Sequence, residues 1–417
     1  MRRKLKALTV LLALLPAWIC WGQMIPDEFI SYPKGRVSGL TGLTMIKTED
    51  GELKPFWRFQ LQPELNLDRI GIGLDLVFLY NPDVGIRAED GEKWSELGDF
   101  LRMIRYFRYG RRGERVFLLY GALDNVFIGN GLIMGGYSNY DRRGLRLELN
   151  ARAAGVEAVL NNVSKPSLFG GRGYIRPLLG MDLPLINKLT IGGTYITDVD
   201  PDPYEEGEEP FTVYGFDLGL PILRSKLMEV RLYDEAAFIK GHGSGNAVGI
   251  GFDLPMGARF RVEYRIFGED FAPTPFNYLY EGIKSDPERE IESILNPEPL
   301  KGIFSLFAWG VPRKLFAWAS FEDYDNETPR VQAEFIETGL IEKVSIRGRY
   351  TKIGIDGFKD IFDLDEKSAF TLKIGFQVIQ PFEIVLVHDY RFRKKEDGEG
   401  YETIHKVSFE LGVSMNY

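Results

Sequence analysis

Apolar and polar residues alternate one for one along much of the chain. In 56–67, Trp57, Phe59, Leu61, Leu65 and Leu67 fall on one face, and Arg58, Gln60, Gln62, Glu64 and Asn66 on the other. In 259–267, Phe260, Val262, Tyr264 and Ile266 oppose Arg259, Arg261, Glu263 and Arg265. Leu145, Leu147 and Leu149 oppose Arg146, Glu148 and Asn150, and Met228, Val230 and Leu232 oppose Glu229, Arg231 and Tyr233. Val344, Ile346 and Tyr350 oppose Ser345, Arg347, Arg349 and Thr351. Phe370, Leu372, Ile374, Phe376 and Val378 oppose Thr371, Lys373 and Gln377. The last residues run Val407, Phe409, Leu411, Val413, Met415, Tyr417 against Lys406, Ser408, Glu410, Gly412, Ser414, Asn416. A period of two predicts strands with one face in each of two environments.

The spacers between these strands alternate in length. Short ones fall at 67–69, 111–113, 152–153, 182–187, 221–224, 255–256, 310–312, 340–341 and 381–382. Between them come 47–53, 82–102, 123–143, 162–171, 199–210, 241–243, 269–300, 324–327, 354–365 and 394–400, most of them longer. Tight turns at one rim and long loops at the other predict a closed antiparallel transmembrane β-barrel of about 20 strands, within a range of 16 to 20. Short periplasmic turns and longer extracellular loops follow from that reading. Pro63 and Pro177 fall inside predicted strands, where a missing N–H demands a bulge or a strand end.

Composition sharpens the picture. Arg2, Arg3, Lys4 and Lys6 precede an apolar run at 7–15 and then Cys20-Trp21-Gly22, the pattern of a secretory signal over 1–22. Bulky Ile19 before Cys20 argues against lipidation at that cysteine. Residues 23–36 form a short N-terminal segment, and 37–417 the barrel. Removing four basic residues and no acid takes the formal charge from −9 to −13, and Cys20 is the only cysteine. Such acidity argues against nucleic acid as a partner. Nowhere beyond the signal do 18 apolar residues run together, so no helical span is predicted.

The signal, the alternating strands and a last strand ending on an aromatic resemble bacterial outer-membrane β-barrels of the porin type. In that family the final strand carries the signal read by the insertion machinery. Val413, Met415 and Tyr417 match it, with Tyr where Phe is more usual. The resemblance implies the outer membrane of a diderm bacterium. Its partners there are membrane lipid, lipopolysaccharide and the insertion machinery. It also implies passive passage of small polar or charged solutes. With only 23–36 ahead of the barrel, no plug domain and no energy-coupling box are expected. A non-conducting barrel, plugged by its own loops and serving as structure, adhesin or receptor, is the alternative. No cofactor is expected, and either reading accommodates a homo-oligomer.

Inward charges are the first candidates for function: Arg58, Glu64, Arg146, Glu148, Glu229, Arg231, Arg259, Arg261, Glu263, Arg265, Arg347, Arg349, Lys373 and Arg391. Charge rings set ion preference in a pore; equally, such residues neutralise one another and stiffen a wall. The strand at 257–268 is mostly basic and is read as a cationic stripe. The second candidate is DNVFIGNGLIMGGYSNYD at 124–141, with Gly129, Asn130, Gly131, Gly135, Gly136 and Tyr137. It is too apolar for a free surface loop and is expected to fold inward as a constriction, against the plainer reading of bulged strand ends. It has no phosphate-loop spacing.

The longest loop, 269–300, carries Phe271, Phe276, Tyr278 and Tyr280. Ser285-Asp286-Pro287 is read there as the start of a short helix continuing through 288–295. In 198–209, Asp198, Asp200, Asp202 and Glu209 sit at calcium-loop positions, but Pro203 replaces the glycine that the sharp turn needs. The three histidines, His242, His388 and His405, lack metal-ligand spacing, and His388 and Asp389 point to opposite faces. No catalytic residues, metal ligands or enzymatic activity are expected.

Overall fold

The computed structural model describes residues 35–47, 53–83, 85–87, 103–183, 186–204, 207–225, 228–285, 291–296, 298–311, 314–337, 339–362, 367–379, 382–394 and 401–416. The expected signal peptide (1–22), nearly all of 23–36, and Tyr417 lie outside them.

The described residues form an antiparallel sheet of 22 strands with almost no helix. The strands are β1 (Gly35–Lys47), β2 (Leu53–Leu67), β3 (Ile70–Leu74), β4 (Leu76–Asn81), β5 (Gly85–Arg87), β6 (Ile104–Tyr109), β7 (Val116–Ile128), β8 (Met134–Asn150), β9 (Ala154–Leu160), β10 (Leu168–Ile175) and β11 (Thr190–Asp198). Then come β12 (Phe211–Arg224), β13 (Glu229–Ile239), β14 (Ser244–Asp253), β15 (Arg259–Phe267), β16 (Leu300–Val311), β17 (Leu315–Tyr324), β18 (Arg330–Glu337), β19 (Val344–Ile353), β20 (Ser368–Ile379), β21 (Phe382–Lys394) and β22 (Tyr401–Asn416). A short α-helix, α1 (Tyr280–Lys284), lies in the loop after β15.

β6 pairs with β3 and β7, each later strand pairs with its sequence neighbours, and β22 pairs with β1 through Arg36–Asn416, Val37–Met415, Ser38–Ser414 and Gly39–Val413. The 22 strands exceed the expected range because two features escaped the alternation. β3 and β4 run end to end along β2, which pairs with β4 over Trp57–Leu61 and with β3 over Glu64–Leu67. Gln62 and Pro63 pair with neither, so the ladder breaks where proline cannot donate. β5 is the second addition and pairs only with β4 among the described residues. Pro177 acts differently: β10 stops at Ile175, ahead of it, and starts earlier than the alternation indicated. The connection 176–189 breaks the short-turn rule at that rim.

The two faces of the sheet differ as the alternation predicts. One carries exposed apolar side chains, among them Trp57, Phe59, Leu61, Phe216, Leu218, Val248, Tyr264, Phe376 and Phe409. Aromatics cluster on it near both rims. Tyr214 stacks on Phe238 toward the long loops, and Phe252, Phe260 and Phe307 form a row toward the short turns. The opposite face, called inner here, holds buried charge: Arg146, Glu148, Arg172, Asp217, Glu235, Glu263 and Arg265.

Toward the long loops the inner face turns apolar and carries the hydrophobic core. Val159, Leu168, Ile196, Val213, Ala237, Ile239, Ala247 and Phe267 of β9–β15 pack with two inserted segments. One is the β7–β8 hairpin, through Leu123, Val126, Ile128, Leu132, Ile133, Met134 and Tyr137. The other is the loop after β15, through Phe271, Ala272, Phe276, Tyr280 and Ile291. Burying one large apolar side chain contributes about 1.5–3 kcal/mol, so both segments are held firmly against the wall.

Candidate functional site

Segment 124–141 builds the site: it runs through the irregular ends of β7 and β8, and its apolar residues pack in the core on the inner face. β7 stays in the wall only as far as Gly121, opposite Tyr106. Beyond that point its partners are on β8 alone among the described residues, with register shifts between Gly121/Leu123, Leu123/Val126 and Val126/Phe127. Gly121 has φ +147°, and a Cβ there would lie 2.8 Å from the Arg105 carbonyl oxygen and from Tyr106 Cβ. Glycine lets the strand leave the wall at that close approach.

The hairpin tip crosses to inner-face charges. Gly129 N–H donates to Glu157 Oε2 at 3.2 Å and Leu132 N–H to Glu235 Oε2 at 3.3 Å. Arg261 Nη1 donates to the Asn130 carbonyl, and Arg146 Nη2 to the Phe127 carbonyl at 3.2 Å. Thr274, from the loop after β15, donates through Oγ1 to the Gly131 carbonyl at 3.1 Å. These bonds satisfy backbone groups at and beside the hairpin turn.

Two ion networks support the contacts. Arg172 grips Asp217 with two bonds of 2.7 and 2.6 Å and reaches Glu157 at 2.8 Å, a forked geometry suited to carboxylates. Glu263 accepts from Arg265 at 2.6 Å and from the Tyr233 hydroxyl at 2.7 Å, with Arg261 at 3.3 Å. Arg265 also lies 3.7 Å from the Phe304 ring centre and donates to the Tyr324 hydroxyl at 3.2 Å. Glu235 Oε1 is buried without a hydrogen-bond partner among the described residues.

The loop after β15 closes over the hairpin through α1. The predicted helix start at Ser285 is corrected: Ser285 ends α1, its N–H donating to the Glu281 and Ile283 carbonyls. A serine hydroxyl that bonds back to Glu281 O at 2.7 Å serves as a stop as readily as a start. Residues 286–290 of the predicted helix lie outside the described residues, and Ile291–Ile294 form a single 3₁₀ turn. Lys284 Nζ donates to Asp198 Oδ2 at 2.7 Å and to Ser167 Oγ at 2.9 Å. Tyr280 OH donates to Asp198 Oδ2 at 3.1 Å. Burial, reinforced by the Asp198 carboxylate, pushes the Tyr280 phenol well above its ordinary range, so it remains a donor. Glu281 accepts from the Tyr137 hydroxyl and joins α1 to the hairpin. Asp198, first residue of the acidic stretch, thus turns into the core and onto a lysine.

The other predicted charges are spread over the sheet. Glu64 pairs with Arg105, and Arg58 donates to Gln60 Oε1 at 2.8 Å. Arg146 and Arg112 share Glu148 at 2.8 and 3.0 Å. Glu229 pairs with Arg224 and Arg259 with Asp253 near the short-turn rim, where Arg231 is exposed. The β15 stripe is largely consumed, since Arg261 and Arg265 serve Glu263 and the hairpin. Solvent-facing cations lie instead on β18–β20. Arg347 and Arg349 share Glu334 at 2.8 and 3.2 Å with half their side-chain surface open. Lys373 is exposed opposite Arg347, and Arg330 pairs with Glu322. Arg391 pairs in the ladder with Ile404, Val413 with Phe382 and Gly39, and Met415 with Val37. Glu157, Arg172, Asp217 and Glu235 were missed by the sequence reading. Glu157, Arg172 and Asp217 are isolated charges at inner positions of strands rich in glycine or small residues, and that isolation was the available signal; Glu235 shares the inner face of β13 with Glu229 and Arg231.

No protein-family model matches the chain, and no curated protein matches it. Solved structures do. Wzi of Escherichia coli, an outer-membrane protein involved in group 1 capsule assembly and a carbohydrate-binding β-barrel, is 11% identical; the match covers 92% of this chain and 85% of Wzi at a TM-score of 0.35. A point mutant of the ferric enterobactin receptor PfeA of Pseudomonas aeruginosa is 8% identical over 93% of this chain and 73% of that one, at 0.38. The outer-membrane protein OpdK of Pseudomonas aeruginosa is 8% identical over 92% and 99%, at 0.32.

Proposed function

We propose that the chain is a porin-like channel of a bacterial outer membrane. It is a transmembrane barrel closed by β22 on β1, passing small polar or charged solutes beside an inward hairpin. Three features support the barrel. Counting β3 and β4 as one interrupted stave and β5 as a side extension, the 22 strands make 20 staves. The β1–β22 register removes the free edges that hydrocarbon would penalise. The apolar outer face carries aromatics toward both rims, as a bilayer-facing wall does. The two ends of the sheet then face the cell exterior and the periplasm.

One observation carries the channel reading. The hairpin and its covering loop pack against β9–β16, while Arg347, Arg349 and Lys373 on β19 and β20 keep open side-chain surface. Solutes would pass along that uncovered wall, which is lined with charge. A second reading, a barrel plugged by its own hairpin and serving a receptor or structural role, draws support from the fully buried apolar contacts of Tyr137, Phe271 and Phe276. Planar-bilayer recording of the purified protein separates the two. Stepwise conductance supports the channel, and silence from correctly folded, inserted protein rules it out.

A further inference from the structure

The loop after β19 leans outward over the wall. Gly354 (φ +67°) turns the chain as β19 ends, and its N–H donates to the Pro329 carbonyl at 2.9 Å. Phe358–Phe362 then forms a 3₁₀ turn, in which Asp360 Oδ2 accepts from the Asp356 and Gly357 N–H groups at 2.9 and 2.7 Å. Tyr350, an outer-face residue of β19, donates its hydroxyl to the Ile361 carbonyl at 2.7 Å. A bond from that face sets the turn on the outside of the wall. Lys352, next on the outer face toward the rim, is 1% exposed, so the wall is covered at that point. Below it, Tyr350, Phe370, Tyr390 and His405 stand opposite one another in a row across β19–β22. Tyr390 lies on His405 with centres 4.0 Å apart. His405 Nε2 meets His388 Nδ1 at 3.3 Å, so its polar edge is satisfied within the same face.

We infer that this turn is a lipid-binding clip, which seats Phe358 and Phe362 among the acyl chains of the outer leaflet beside the barrel. The two phenyl rings meet edge to face, with centres 5.2 Å apart at 75°. They are 38% and 68% exposed on a turn that Tyr350 and Asp360 tie down. Phenyl rings offer no hydrogen bond, so what a partner gives them is removal from water. The row from Tyr350 to His405 carries the bilayer-facing wall up to the turn, and aromatic side chains gather where such a wall meets the headgroups. Lipid is therefore the occupant of the adjoining surface, and the clip extends that contact beyond the end of the strands. It fixes the depth at which the β19–β20 hairpin sits in the leaflet. The clip requires the transmembrane barrel proposed above, but not its conduction.

The test is fluorescence quenching from the lipid and from the water. Cys20→Ser removes the only native cysteine, and Phe362→Cys then carries a bimane probe in the full chain, folded into phosphatidylcholine vesicles. The quenchers are a nitroxide-labelled phosphatidylcholine and aqueous iodide. Phe409→Cys, 75% exposed on the outer wall, is the lipid-facing control, and Thr328→Cys, in the exposed turn after β17 at the same rim, is the aqueous one. Heat-modifiable migration checks that each variant is folded. Phe362→Cys should lose its fluorescence to the nitroxide lipid, as Phe409→Cys does, and should resist the iodide that quenches Thr328→Cys. Quenching of Phe362→Cys by iodide alone overturns the inference. So does protection from both quenchers that disappears when each vesicle holds one barrel, which assigns the aromatic pair to a second copy of the chain. Failure of Phe409→Cys to respond to the nitroxide lipid refutes the barrel itself, and the clip falls with it.

Discussion

The lid over the hairpin should be held by one buried ion pair, Lys284 on Asp198. Their side chains are 8% and 0% exposed at 2.7 Å. Replacing Lys284 with Met leaves the carboxylate buried without its counter-charge, a loss of about 3–5 kcal/mol. Asp198 keeps the Tyr280 hydroxyl at 3.1 Å and the Asp200 N–H at 3.0 Å, so the low end applies. About 3 kcal/mol, at roughly 1.4 kcal/mol per decade, raises the open population of the lid on the order of 100-fold. The assay is thiol labelling of Ala272→Cys, a core site 2% exposed in the same loop as α1. Cys20 is the only native cysteine and is changed to Ser, giving a single probe. When reclosing outpaces modification, the labelling rate reports the open population. Lys284→Met should label about 100-fold faster than the parent. Adding Asp198→Asn, which replaces the pair with neutral groups of similar shape, should recover most of that loss. The reasoning fails if Lys284→Met labels within about twofold of the parent, or if the double variant opens further than the single.

Other consequences follow from the same geometry. Gly121→Val places a Cβ against Arg105 O and should destabilise the protein by about 1–3 kcal/mol, read as a lower urea midpoint in lipid vesicles. Arg347→Glu with Arg349→Glu should move the bilayer reversal potential toward cation preference. Arg265→Ala, which removes a buried partner of Glu263, should act mainly on stability, visible as a lower melting temperature with little change in selectivity. Val413→Pro removes an N–H from the strand between Phe382 and Gly39 and should sharply reduce the heat-modifiable, membrane-inserted fraction. Ser414→Ala should leave that fraction unchanged.

The strands were legible because two-residue alternation survives wherever one face is buried and the other is not. It identified β2, β15, β19, β20 and β22 with their faces. It misjudged the hairpin ends of β7 and β8, where VFIGNGLIM is apolar on every side because both faces are buried in the core. α1 left no mark: YEGIK contains glycine and has no capping side chain, and the contacts of Tyr280, Glu281 and Lys284 hold it. The break in β3–β4 was written in Pro63, a proline in a strand that pairs on both edges. The partners of the inner charges could not be read within single strands. Arg172 meets Asp217 only through the register of β10, β11 and β12, and His388 meets His405 only through that of β21 and β22.

Deleting the inserted hairpin tests the central claim most directly. Joining Leu123 to Asn139 through a short glycine linker removes the segment that covers the β9–β16 half of the wall, while the ladder of the remaining staves stays intact. Single-channel recording of this variant beside the full chain should show a larger unitary conductance in the variant. Equal conductance, or silence from a variant that folds and inserts, would mean that the hairpin does not occupy an aqueous lumen.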